Sequence, residues 1–339
     1  MTQHSFITGL SGQALSGAEA AFLRTARPAG LILFARNIDA PEQVHRLIAD
    51  AQTAIGADVL VLVDQEGGRV QRLRPPHWRA LPSGAMYAAR AQIDLAQAVR
   101  ETRAIARLIA HDLRGLGITC NCAPVLDVPV AGAHEVIGSR ALGTSTATII
   151  ALGRAIADGH IAGGVLPVIK HIPGHGRATV DTHHALPTVA TPESELNASD
   201  FVPFKALADL PAAMTAHVVF AAIDPSATAS TSAIVTQRII RGEIGFGGLL
   251  MSDDLSMQAL QGTLGQRAAA VLAAGTDLAL HCNGAMAEME QVAAAAHSLA
   301  GKSAARYARA FEVTRHQAPF DRAEAEHCLD AVLASPRVS

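Results

Sequence analysis

Eight short apolar runs, each followed by a stretch of helical periodicity, constrain this chain more than any other feature. They occupy residues 6–10, 30–34, 59–63, 118–126, 165–169, 212–220, 249–251 and 277–280. Runs this short and this apolar read as strands buried on both faces. Between them the spacing becomes helical, as in Val44, Leu47, Ile48 and Ala51, or Leu95, Ala98, Val99, Ile105, Leu108 and Ile109. Start and stop signals agree: Ser16 with Glu19 reads as a capping box, Asp39 with Pro41 opens the next helix, and Gly115 and Gly275 fall where strands must begin. Doubly buried strands alternating with helices form a parallel sheet, and eight such units can close into a (β/α)8 barrel. An open doubly wound sheet is the alternative, although no G-x-G-x-x-G follows an early strand. With 339 residues, a barrel can fill the whole chain, 1–339, as a single domain. Its alanine-rich part from about residue 285 onwards then supplies packing helices.

Composition narrows the partners. The net charge of -3 offers no basic field for nucleic acid, and no segment approaches the ~18 apolar residues of a membrane helix. The N-terminal MTQHSFITGLSG has neither a basic region nor a long apolar core, so the expected location is cytoplasmic. Cys120, Cys122, Cys282 and Cys328 lack the spacing of a zinc site and read as reduced, buried thiols. A small molecule or sugar is the expected partner, and the chain is read as a monomer without cofactor or metal.

In a barrel the carboxyl ends of the strands converge on one site. Here the runs end in Arg36 and Asn37, Asp64 and Glu66, Asp127, Lys170 and His171, His217, Asp253 and Asp254, and His281 and Asn283. So many polar ends imply a ligand-sized polar pocket, even though a strand-end Asp alone often caps a helix or holds a loop. The stretch 166–187, LPVIKHIPGHGRATVDTHHALP, is the sharpest case: a buried strand opens into a glycine-rich loop carrying Asp181, His183 and His184.

Four motifs carry a resemblance: VDQEGGRVQR at 63–72, KHIPGHG at 170–176 followed by DTHHALP at 181–187, MTAHV at 214–218, and MSDDLSM at 251–257. In this order they resemble glycoside hydrolase family 3, and within it the bacterial single-domain β-N-acetylglucosaminidases, the NagZ-type β-hexosaminidases. The resemblance covers roughly the first 285 residues. It implies a TIM barrel, no metal, a retaining mechanism, and release of N-acetylglucosamine from anhydro-muropeptides in cytoplasmic peptidoglycan recycling. It also implies that Asp253 is the nucleophile and that Asp181 and His183 are the acid/base pair, with Thr182 in place of the usual Ser. Asp64, Arg72, Lys170 and His171 then correspond to sugar-contacting positions, as does Arg140 on a shorter match in VIGSR. Ile172 stands where Phe is usual, a change expected to alter the wall of the site.

The residues support such roles on their own chemistry. Retaining hydrolysis needs a carboxylate nucleophile and an acid for the leaving oxygen, and a strand-end Asp253 is a rigid choice for the first. A histidine can serve as the second, because imidazole titrates near neutrality and Asp181, two residues away on an extended loop, could orient it. His184 then points away. Other readings stay open at this level: Lys170 as a Schiff-base lysine, His171, His175 and His183 with the aspartates as a metal-hydrolase cluster, or a non-catalytic sugar-binding barrel. Within the family, a β-glucosidase or β-xylosidase is the alternative activity.

Overall fold

The computed structural model describes residues 2–130, 132, 136–178 and 186–335. Eight strands close on themselves: β1 His4–Gly9, β2 Pro28–Leu33, β3 Leu60–Val63, β4 Cys120–Asn121, β5 Leu166–Ile172, β6 Ala212–Thr215, β7 Leu249–Asp254 and β8 Leu278–His281. Each pairs in parallel with its neighbours in sequence, and β8 returns to β1. The doubly wound alternative therefore does not hold. Helices follow the strands as the periodicity requires, including Gly17–Ala26, Pro41–Ile55, Leu95–Gly115, Thr146–Ala162 and Leu264–Ala273. Three more, Met286–Ala295, Gly301–Glu312 and Arg322–Leu333, lie in the C-terminal part. Among the described residues no helix is long and apolar enough to cross a membrane.

Local signals mostly act where expected. Ser16 and Glu19 form the full capping box of the first helix. Asp39 does not cap the second: Ala40 holds that place with no side-chain bond, and Pro41 alone supplies the preset φ. Two expected strands are shorter than their apolar runs. In 118–126 the regular strand ends at Asn121, and past Pro124, which has no N–H to give, pairing with β5 continues only as an isolated parallel bridge between Val125 and Lys170. In 212–220 it stops at Thr215, and Val219–Phe220 pairs instead with Thr188–Val189.

Alternation along the strands divides the core in two. Leu60 and Leu62, Leu166 and Val168, Ala212 and Met214, and Leu249 and Met251 belong to one buried cluster. Their neighbours Val61 and Val63, Val165 and Ile169, Ala213 and Leu250 join the larger cluster that includes Leu47, Ile105 and Leu152 of the surrounding helices. The first set fills the barrel and the second glues the helices to it. Continuing the inward parity one step beyond the apolar layer reaches Asp64, Lys170 and Asp253. That step is how the fold converts a packed interior into a polar site.

Candidate active site

A cavity of about 220 Å³ opens at the carboxyl ends of the strands. Asp64, Arg72, Arg140, Lys170, His171 and Asp253, all proposed from sequence, line it together, with Asp254, His175 and Arg69. Phe34, Met214, Met257 and Cys282 contribute apolar wall, and nothing in their spacing announced that. The volume lies below the ~300–1,000 Å³ typical for drug-sized ligands, and suits one compact polar group. Asp181, His183 and His184 lie outside the described residues.

Irregularities in β5 and β7 explain why adjacent residues share the pocket. The pairing register of β5 with β6 shifts between Lys170 and Ile172, and that of β7 with β8 shifts between Met251 and Asp254. A register shift breaks strict alternation, so His171 joins Lys170, and Asp254 joins Asp253, at the cavity. The same shift sends Ile172 into the helix-facing core, fully buried. Its departure from Phe therefore does not alter the wall of the site. Close packing also shapes the loop after β5: a Cβ on Gly176 would stand 1.9 Å from the Val128 carbonyl oxygen.

One side of the cavity is a network of ion pairs. Lys170 Nζ lies 2.9 Å from Asp64 and 2.6 Å from Glu66. Arg72 donates to Asp64 at 3.0 Å, and Arg140 forks onto Glu66 with two bonds of 2.8 Å. Burial alone would raise the Asp64 carboxyl, but Lys170 and then Arg72 hold it well below the usual range. Burial likewise opposes Arg140 and Lys170 at Glu66, which they bring down to about 2. Against its own burial, Lys170 is pushed up by the two carboxylates. A lysine locked as ammonium is the opposite of what Schiff-base formation needs, so that reading loses its support. Glu66 was legible only as a strand end; that it joins two cations is a fact of the tertiary structure.

The facing side carries Asp253 and imidazoles. Asp253 accepts the Asp254 N–H at 2.8 Å and is 8% exposed. Burial raises its carboxyl, yet His171, His217, the Asp254 N–H and Lys170 together lower it, so it is ionised at neutral pH. His217 Nε2–H donates to the Asp254 carbonyl at 3.0 Å, and its Nδ1 lies 2.8 Å from Ser230 Oγ. Asp127, fully buried, lies 2.7 Å from His171 Nδ1. Burial, and then His171, push His175 down to about 4, leaving it neutral. Among the described residues no group of three His, Cys, Asp or Glu side chains is spaced to hold a metal.

Not every strand-end residue joins the site. Arg36 donates to the carbonyls of Leu10 and Cys282, and Asn37 to those of Leu10 and Gly12, so both hold loops. His281 and Asn283 meet Glu288 instead. Cys120, Cys122 and Cys282 are buried thiols as expected, whereas Cys328 is only partly buried.

The chain is similar to known proteins along most of its length. The model of the glycosyl hydrolase family 3 N terminal domain matches residues 7–315. A β-hexosaminidase of Alkalilimnicola ehrlichii is 41% identical over 279 residues, spanning 81% of this chain and 79% of that protein. One from Pseudomonas aeruginosa is 41% identical over 287 residues, 83% of each. Native NagZ from Neisseria gonorrhoeae superposes with a TM-score of 0.87 at 28% identity over 99% of both chains. NagZ from the same organism in complex with N-trifluoroacetyl-D-glucosamine gives 0.84 at 28% identity, over 99% of this chain and 95% of that one.

Proposed function

The chain belongs to glycosyl hydrolase family 3, and from that premise we propose a retaining β-N-acetylglucosaminidase in which the Asp253 carboxylate attacks the anomeric carbon. As a member close to the β-hexosaminidases it is a glycoside hydrolase. The observation that carries the assignment of the nucleophile is Asp253 itself: a carboxylate on a rigid strand, facing the cavity, kept ionised while nearly buried. Attack forms a covalent glycosyl-enzyme, which water then hydrolyses from the opposite direction.

Asp64 and Arg72, with side chains 17% and 25% exposed, are the parts of the ion-pair network open to sugar hydroxyls. Lys170 has three N–H donors and spends two on Asp64 and Glu66, leaving one for the sugar. Arg140 and His171 complete the contact set. His183, oriented by Asp181, is the acid that protonates the leaving oxygen; this role rests on the DTHHALP motif at 181–187. The finer substrate is an N-acetylglucosaminyl muropeptide from peptidoglycan recycling in the cytoplasm, in keeping with a compact cavity that takes one sugar and leaves the aglycone outside. The relative solved with N-trifluoroacetyl-D-glucosamine supports the N-acyl preference.

Leaving-group dependence tests the reading. His183→Ala is expected to cripple hydrolysis of a disaccharide while comparatively sparing an activated aryl N-acetylglucosaminide, because an acid matters most for a poor leaving group. Equal losses on both substrates would remove His183 as proton donor. A wild-type preference for aryl glucoside or xyloside over N-acetylglucosaminide would replace the substrate assignment.

A further inference from the structure

Asp127 takes no part in the roles above, yet it is fully buried between two histidines of the pocket. One of its oxygens accepts the backbone N–H of His171 at 3.2 Å and that of His175 at 2.7 Å. The other lies 2.7 Å from His171 Nδ1. Among the described residues His171 Nε2 makes no protein hydrogen bond, and the ring borders the cavity.

We infer that Asp127 is a positioning residue for glycoside cleavage: it holds His171 as the Nδ1–H form and aims Nε2 at the sugar. Although burial opposes it, His171 and the His175 N–H keep the Asp127 carboxyl at about 2, so it is ionised and can only accept. The proton in the contact must then sit on Nδ1, and in that tautomer Nε2 is the ring atom whose lone pair can receive a sugar hydroxyl. The inference rests on the reading that His171 faces the sugar. It differs from a loop-holding role because it concerns the ring proton, not the two backbone bonds.

Asp127→Asn separates the two. Its amide oxygen can still accept both backbone N–H groups, but its NH2 faces Nδ1, which must now accept, and the ring proton moves to Nε2. Nitrogen-15 NMR of histidine-labelled protein should show His171 protonated at Nδ1 in the wild type and at Nε2 in the variant. The wild-type spectrum tests the idea even if the variant does not fold. For the variant, kcat/KM on an aryl N-acetylglucosaminide should fall about ten- to a hundredfold, the scale of one lost charge-assisted contact. On a His171→Ala background the same substitution should add less than about twofold, since residues acting as one unit are not additive. An Nε2–H ring in the wild type, or a full additional loss on the His171→Ala background, would overturn the proposal. If His171→Ala itself keeps wild-type kinetics, the sugar contact fails, and with it the functional half of this inference; the NMR result still decides whether Asp127 sets the tautomer.

Discussion

The two sides of the pocket are built from similar residues and behave differently. On one, Asp64 and Glu66 are matched by Lys170, Arg72 and Arg140 at hydrogen-bond distance, so each carboxylate is compensated within the wall. On the other, Asp253 and Asp127 are surrounded by His171, His175 and His217, groups whose charge depends on pH. The first wall is fixed in charge and suits hydroxyl recognition. The second keeps a carboxylate ionised with little permanent positive charge against it, as a nucleophile requires, because a full salt bridge would blunt its attack. The contrast predicts that damage to the first wall shows up in stability and binding, and damage to the second in turnover.

The largest stability effect should come from Lys170→Met. It takes the shared cation from two buried carboxylates, leaving Asp64 with Arg72 and Glu66 with Arg140, so the cost should approach but not exceed the about 3–5 kcal/mol of a fully broken buried ion pair. Urea unfolding at neutral pH checks this, and adding Asp64→Asn should recover part of the loss. A variant as stable as wild type would mean the wall is not coupled as described.

Acidification should distinguish the walls next. His175 and His160 are buried and held at about 4 against an ordinary 6.5. The unfolded chain therefore takes up protons first, and their contribution is present above 6.5 and lost as pH falls towards 4, at most about 3 kcal/mol apiece. Glu66 and Asp127, lowered to about 2, contribute stability that is complete above about 4.5 and lost only as pH falls through about 2. Urea midpoints should thus decline between pH 6.5 and 4 before the carboxylates titrate, and His175→Gln should flatten only part of that limb, since burial lowers His217 as well. Midpoints that stay level down to pH 4.5 would place the sensitivity in the carboxylates instead.

A smaller effect is expected at Arg72, which is partly exposed and shares Asp64 with Lys170. Arg72→Ala should lower kcat/KM about tenfold to a hundredfold, with most of the change in KM and little change in stability. A loss confined to kcat would move Arg72 to the reacting side.

Much of this was legible in the chain, for reasons the structure makes plain. The eight runs were readable because doubly buried strands carry few polar residues and hardly any charged ones until they reach the end of the barrel, which also marks Asp64, Lys170 and Asp253. Ile172 was misread because a register shift in β5 is not encoded in the period-2 pattern. Glu66 and Asp127 were visible only as polar strand ends, since their partners Arg140 and His171 lie 74 and 44 residues away in sequence. Arg36 and Asn37 look the same in sequence, and only the fold shows that they hold loops.

The central claim is that Asp253, and no other carboxylate of the pocket, bonds to the anomeric carbon. Incubation with a 5-fluorinated N-acetylglucosaminyl fluoride, followed by proteolysis and mass spectrometry, should locate the glycosyl group on Asp253, with no label in Asp253→Ala protein that remains folded. Label on Asp254 or Glu66 would contradict the account.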